Sequence, residues 1–338
     1  MSDGAANDRP GDQPVLDVDL LIIGAGPTGL FTAYYAGQRQ LSTVIMDSLP
    51  EAGGQVAAMY PEKLIYDVAG FPAVKGQTLI DNLVEQAGQF RPTYLLGHRA
   101  EEMEHGEGAV TVTSHHGATI TCKAVIITGG IGTFTPRPLP DAEQFEGRGL
   151  MYFVPRLDEL RDLDVLIVGG GDSAFDWALN LESITKSITL IHRRDRFRAH
   201  EHTVEQVRAS SVDVRVFTEV ARILGDDRGI SAVEVFDNRT DERDKLEVQA
   251  VVAALGFTAD LGPLNRWGLE QSKRSVVVDT AMRTSLPRVF AAGDIATYEG
   301  KVKLIAVGFG EAATAVNNAA TVIDPSAKVF PGHSSDLK

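Results

Sequence analysis

Two stretches of the chain share one pattern: a short unbroken apolar run, a glycine-rich turn, then apolar residues at helical spacing. They are LLIIGAGPTGLFTAYYA, residues 20–36, and VLIVGGGDSAFDWAL, residues 165–179. Apolar runs without alternation mark strands buried on both faces of a parallel sheet. The first stretch predicts a strand over 20–23, a helix over 30–40 and a second strand over 43–46 that ends on Asp47. The second predicts a strand from Val165, a helix over 173–181 and a strand over 187–191. Alternating segments follow each copy, AVTVTS and ATITCKAVIIT after the first, ISAVEVFD and KLEVQAVVAALGF after the second. Each pair reads as an antiparallel meander followed by a strand returning to the parallel sheet. The expected fold is α/β, with two Rossmann-like, three-layer ββα dinucleotide-binding domains.

The turns carry the first chemistry. Gly24, Gly26 and Gly29 form GxGxxG between strand and helix, where the glycines permit a tight turn, close approach to a pyrophosphate and close helix packing. An acid at Asp47 suits a ribose diol. Gly169, Gly171 and Ala174 repeat the pattern as GxGxxA, with Asp172 and Ser173 opening the helix. Asp47 lies 23 residues beyond Gly24, and the same step from Gly169 lands on His192, where the run is HRRDRFR. His192, Arg193, Arg194 and Arg198 therefore replace the acid. Guanidinium groups hold a 2′-phosphate that a carboxylate would repel, so the second site is expected to take NADP(H).

A third segment, SLPRVFAAGDIAT, residues 285–297, supplies another strand and the pair Gly293-Asp294, followed by a helix over 308–323. It follows the second copy but suits the first. The expected organisation is a disordered tail over 1–14, a discontinuous first domain over 15–135 plus 288–338, and an inserted second domain over 136–287. The crossings, near 136–140 and 283–287, would act as a hinge.

Bulk properties narrow the partners. A net charge of -14 over 338 residues disfavours nucleic acid and anionic membrane as primary partners. The apolar runs are far shorter than the roughly 20 residues a membrane helix needs. The polar, acidic start lacks the basic and apolar regions of a secretory signal, so a cytoplasmic protein is expected. Cys122 is the single cysteine, expected as a buried core thiol, which removes any disulfide or CxxC pair within the chain.

As a set, GxGPxG, Asp47, the Gly53-Gly54-Gln55 run, the Thr128-Gly129-Gly130 strand end, GGGDSA and AAGD resemble the thioredoxin-reductase-like flavoproteins of the pyridine nucleotide-disulfide oxidoreductase superfamily. That resemblance implies FAD in the first domain and NADP(H) in the second. Members that reduce thioredoxin carry CxxC just before the second glycine motif, because dithiol exchange needs an attacking and a resolving sulfur. Here the segment is GLMYFVPRLDEL, without cysteine.

Three further stretches, GGQVAAMYPEKLIYDVAGFP, GGIGTFTPRPL and FPGHSSDLK, resemble the ferredoxin-NADP(+) reductases built on that fold. This second resemblance implies FAD contacts from Thr28, Asp47, Gln55, Tyr60, the Ala100 backbone, Phe134, Asp294 and Ser335. It also implies that the C-terminal stretch covers the flavin face opposite Tyr60, with His333 stacking and Ser335 near flavin N5, within one chain or across a homodimer. Tyr60, His333 and Ser335 would shape the flavin environment, and no acid-base residue is needed.

The implied activity is hydride transfer between NADPH and flavin N5, followed by single-electron exchange with an iron-sulfur ferredoxin or with flavodoxin. Such acceptors are usually acidic, so a local positive patch must overcome the net charge, with Lys301 and Lys303 as the expected cations. A general NADPH-dependent flavin or quinone reductase, or a non-catalytic redox-sensing flavoprotein, is the alternative.

Overall fold

The computed structural model describes residues 14–130, 133–140, 142–154 and 156–332 of the chain. The chain divides into two compact units. One holds residues up to Ala58, Leu64–Thr133 and the chain from Ala259 onward; the other holds Met59–Lys63 and Phe134–Thr258.

The first unit is built on a seven-stranded sheet. Its central strand, Val15–Ile23, runs parallel to Thr43–Asp47 on one side and to Thr119–Ile127 on the other. Thr93–Leu96 extends the sheet beyond Thr43–Asp47. The early half of Thr119–Ile127 closes an antiparallel meander with Val110–Ser114 and Ala100–His105, and its late half pairs in parallel with Val289–Ala291. One strand thus serves both the meander and the parallel sheet. The central strand starts five residues before the apolar run because Val15–Asp19 still pairs with residues 119–123 while remaining partly exposed.

Beside this sheet lies the helix Pro27–Gln38, which buries Gly29, Leu30, Thr32, Ala33, Ala36 and Gly37. It begins three residues earlier than the apolar spacing predicts because Pro27, at its first turn, needs no N–H partner there. The helix Ile305–Ile323 also starts three residues ahead of expectation.

In the second unit a five-stranded parallel sheet runs in the order Leu150–Met151, Ala250–Ala253, Asp164–Val168, Ser187–His192, Asp213–Val216. Alternate residues of Asp164–Val168 feed two cores. Val165 and Ile167 pack with Phe175, Trp177 and Leu181 of the helix Asp172–Leu181. Leu166 and Val168 pack with Ile223, Val233 and Val235 of the meander Thr218–Asp226, Gly229–Asp237 and Arg243–Leu246. Helix, parallel sheet and meander are the three layers expected.

Two segments depart from the expected organisation. Residues 259–287, assigned from sequence to the inserted domain, fold with the first unit. The cause is apolar: Leu261, Trp267, Leu269, Val276, Val278 and Met282 are buried in the first unit's core, and the Trp267 indole donates to the Glu101 carbonyl at 3.1 Å. Met59–Lys63, flanked by the first unit, counts with the second. There Lys63 pairs with Asp176, and Glu62 accepts the Leu157 N–H at 2.8 Å.

Cys122 is fully buried in the first unit's core, and burial pushes its thiol up to about 12. The folded protein is therefore expected to leave this thiol unlabelled by an aromatic disulfide reagent at pH 8, with one thiol released on denaturation. Prompt labelling of the native chain would contradict the burial.

Candidate functional site

In the first unit the turn after Val15–Ile23 is pressed against the end of Thr119–Ile127. A Cβ at Gly24, whose φ is +116°, would lie 2.6 Å from the Thr128 carbonyl oxygen, and one at Gly29 would lie 1.8 Å from that of Gly24. Thr128 locks the contact, its hydroxyl donating to the Ile23 and Gly24 carbonyls at 3.1 and 2.9 Å. The Pro27–Gln38 helix has no side-chain cap and no acidic residue in its first turn, so its partly positive end is open to an anion.

Around that end the chain gathers pieces from distant positions. The Asp47 carboxylate accepts the N–H groups of Ala25 at 2.6 Å and Leu49 at 2.8 Å; burial nevertheless raises its pKa above the usual carboxylate value. A Cβ at Gly130 would lie 3.0 Å from the Gln55 amide nitrogen, which places Gln55 at the end of the neighbouring strand. Thr28 lies against Gly293 and Gly308, where added Cβ atoms would come within 2.8 and 2.5 Å of its hydroxyl. Asp294 is half-buried and accepts no hydrogen bond among the described residues; burial raises its pKa, opposed by Lys303 and Lys301. An open helix end, a carboxylate at the next strand and a second, unspent carboxylate fit the pyrophosphate, ribose and sugar-alcohol groups of a dinucleotide.

The remaining expected residues distribute differently. Ala100 is buried at the start of Ala100–His105. Tyr60 is half-buried against the core of the second unit. The Phe134 side chain, His333 and Ser335 lie outside the described residues. Lys301 fails as a docking cation: its side chain is 5% exposed and pairs with the equally buried Glu311. Lys303 is exposed.

The second unit repeats the turn. A Cβ at Gly169 would lie 2.4 Å from the Ala254 carbonyl, whereas one at Gly171 meets nothing within 4 Å, leaving space over the start of Asp172–Leu181. Ser173 is exposed in that first turn and Ala174 is buried beneath it. Gly170, which the spacing rule passes over, is needed as well: a Cβ there would lie 2.4 Å from the His192 ring. The ring is thereby held over the turn, 5.5 Å from that of Phe197. Asp172 accepts the His200 N–H at 2.9 Å and the Gly170 carbonyl accepts that of Arg198 at 2.7 Å, folding the basic run back onto the turn. Arg193, Arg194, Arg196 and Arg198 are exposed, and none forms an ion pair among the described residues. Elsewhere Arg156, Arg161, Arg215, Arg228 and Arg239 are spent on neighbouring carboxylates. Burial, joined by Arg193, Arg194 and Arg198, holds His192 below the usual imidazole pKa.

A histidine trio was not legible in the sequence. The meander brings His98 to within 5.3 Å of the His116 ring, and His116 stacks on His115 at 3.8 Å. The His98 N–H donates to the Asp47 carbonyl at 2.8 Å. Burial and the adjoining imidazoles lower the pKa of His98; burial, His116 and Arg99 lower that of His115.

Comparison with known proteins adds relatives to this geometry. The family described as pyridine nucleotide-disulphide oxidoreductase matches residues 18–319. A protein of Frankia alni named ferredoxin-NADP reductase is 64% identical over 316 residues, covering 94% of this chain and 98% of that one. One of the same name from Salinispora arenicola is 60% identical over 320 residues, covering 95% and 99%. Among solved structures, T. acidophilum thioredoxin reductase superposes with a TM-score of 0.79 at 26% identity, covering 90% of this chain and 98% of that one.

Two outcomes are expected. Arg193→Ala with Arg198→Ala should raise KM for NADPH at least tenfold more than KM for NADH; equal losses would leave the arginines a purely structural part. Because His98, His115 and His192 bind protons less readily folded than unfolded, their contribution to stability is complete above the ordinary value of 6.5 and lost as pH falls below it. The thermal midpoint should therefore drop below pH 6.5, with His98→Gln softening the drop; an unchanged slope would dismiss that contribution.

Proposed function

Because the chain belongs to the pyridine nucleotide-disulphide oxidoreductase family, we propose that it is an FAD-dependent ferredoxin-NADP(+) oxidoreductase. One contrast carries the reading. The same strand-turn-helix unit ends on a half-buried carboxylate, Asp47, in the first unit and, in the second, on exposed arginines that form no ion pair among the described residues. FAD is the flavin of the first unit and NADP(H) the nicotinamide cofactor of the second. When bound, FAD supplies the conversion of a hydride pair from NADPH into single electrons for a ferredoxin.

The protein's own part is positional. In the first unit the open helix end and Thr28 face the pyrophosphate, Asp47 takes the ribose hydroxyls, and Asp294 takes the sugar-alcohol chain. In the second, Gly171 leaves room for the other pyrophosphate, while His192 and the arginines hold the 2′-phosphate. The resemblance assigns Tyr60, Phe134, His333 and Ser335 to the flavin ring. With Cys122 buried and no other cysteine in the chain, no dithiol relay intervenes, and electrons leave from the flavin. Among the described residues no helix is long and apolar enough to cross a membrane.

The reading also includes a cytoplasmic homodimer with flavodoxin as a second acceptor. The support for the dimer is the resemblance of the FPGHSSDLK stretch, and a sedimentation mass of one chain would remove it.

Purified protein is expected to be yellow, to bleach with NADPH in stopped flow, and to turn over ferredoxin faster than menadione at matched concentration. Preference for menadione would favour a general NADPH reductase instead. A chain that cannot be reconstituted with FAD would end the reading.

A further inference from the structure

The Glu311 carboxylate is a buried group of the first unit with three donors, and nothing in the expected cofactor contacts involves it. It lies in the first turns of the helix Ile305–Ile323 and is 5% exposed. One oxygen accepts the Gly293 N–H at 2.8 Å. The other accepts the Tyr298 hydroxyl at 2.7 Å and the ammonium of Lys301. Three donors therefore converge on one carboxylate, and all three come from the short segment that carries Asp294.

The geometry of that segment shows what the convergence achieves. Gly293 has φ +80° and abuts Thr28, so its peptide has no freedom to move toward the Pro27–Gln38 helix. Its N–H is held from behind by Glu311. Tyr298 and Lys301 hold the far end of the same loop to the same atom group. Asp294, immediately after the clamped N–H, is left half-buried with its carboxylate unspent. A buried carboxylate with a buried ammonium stabilises a fold less than apolar packing of the same volume would, because both ions lose their water. Such a pair is better at fixing one arrangement of a loop.

We propose that Glu311 is a positioning residue for the flavin site, clamping Gly293, Tyr298 and Lys301 so that Asp294 is presented to the sugar-alcohol chain of FAD. The inference rests on the reading of the first unit as the FAD unit. Lys301 is then the neutralising partner of Glu311 and takes no part in partner docking. Tyr298 reports the same clamp: its hydroxyl, donated to Glu311, is pushed up to about 12 by that bond, by burial and by the Glu311 charge.

The test uses the full-length protein stripped of FAD and titrated with it, following flavin fluorescence, visible circular dichroism of the bound flavin, and thermal unfolding of the FAD-free chain. Glu311→Gln keeps an acceptor for Gly293 but strands the Lys301 ammonium in a buried site. It should weaken FAD binding by roughly tenfold or more and alter the visible dichroism. Adding Lys301→Met to Glu311→Gln removes the stranded charge and should restore affinity to within about threefold of the unmodified protein. Tyr298→Phe, a milder change that keeps the fold if Glu311→Gln does not, should weaken FAD binding by roughly threefold with the same dichroic change.

Unaltered affinity and dichroism in Glu311→Gln and Tyr298→Phe would overturn the proposal. So would losses that merely follow the thermal midpoint of the FAD-free chain without recovery in the double variant. An unmodified protein that takes up no FAD would instead overturn the reading on which the proposal rests.

Discussion

A helix can start at the end of a buried parallel strand only if the backbone reverses within a few residues, and in the first unit that reversal is pressed against the neighbouring strand. Gly24 touches the Thr128 carbonyl and Gly29 touches Gly24 itself, with no room for a single extra carbon. Everything else in the site follows from this contact. It brings the open end of the Pro27–Gln38 helix to the level of the strand ends, where Asp47 and the Gly293-Asp294 pair also emerge. The helix N-terminus and the carboxylates thus gather at one end of the sheet.

The second unit shows how far one geometry can be redirected without altering its frame. Strand, turn and helix are kept, with a tight contact between Gly169 and the Ala254 carbonyl in place of the one at Gly24. What changes is the group at the next strand end and its electrostatic sign. Asp47 is a half-buried carboxyl tied to two backbone N–H groups. His192 is a half-buried imidazole whose pKa its surroundings lower, and the arginines around it form no ion pair among the described residues. A single strand-turn-helix frame thus ends on opposed chemistry in the two units, and the second turn adds Gly170 to make room for the His192 ring.

Most of this frame was legible because it rests on local rules. Unbroken apolar runs, glycine spacing and a 23-residue step locate both turns and the opposed chemistry of Asp47 and HRRDRFR. What escaped depends on contacts distant in sequence. Residues 259–287 carry no motif, and it is the burial of side chains such as Trp267 and Val276 that assigns them to the first unit. Lys301 looks like a surface cation, since nothing local announces that Glu311, ten residues on, will bury it. Gly170 is invisible to a rule that counts only the flanking glycines, because its constraint comes from the His192 ring, 22 residues later. The histidine trio likewise exists only once the meander closes.

The discontinuity of the first unit has a consequence in time. Its cradle takes the turn and Asp47 from the first fifty residues, Thr128 from the middle of the sheet, and Gly293, Asp294 and Glu311 from the last fifty. A ribosome delivers the whole of 134–258 before the last of these pieces exists. The inserted unit holds all its strands in one stretch and can complete its own core while the earlier segment still lacks Val289–Ala291 and Ile305–Ile323. The first site to be encoded is therefore the last to be finished. During synthesis the second unit can therefore complete its fold while the first still waits for Gly293, Asp294 and Glu311.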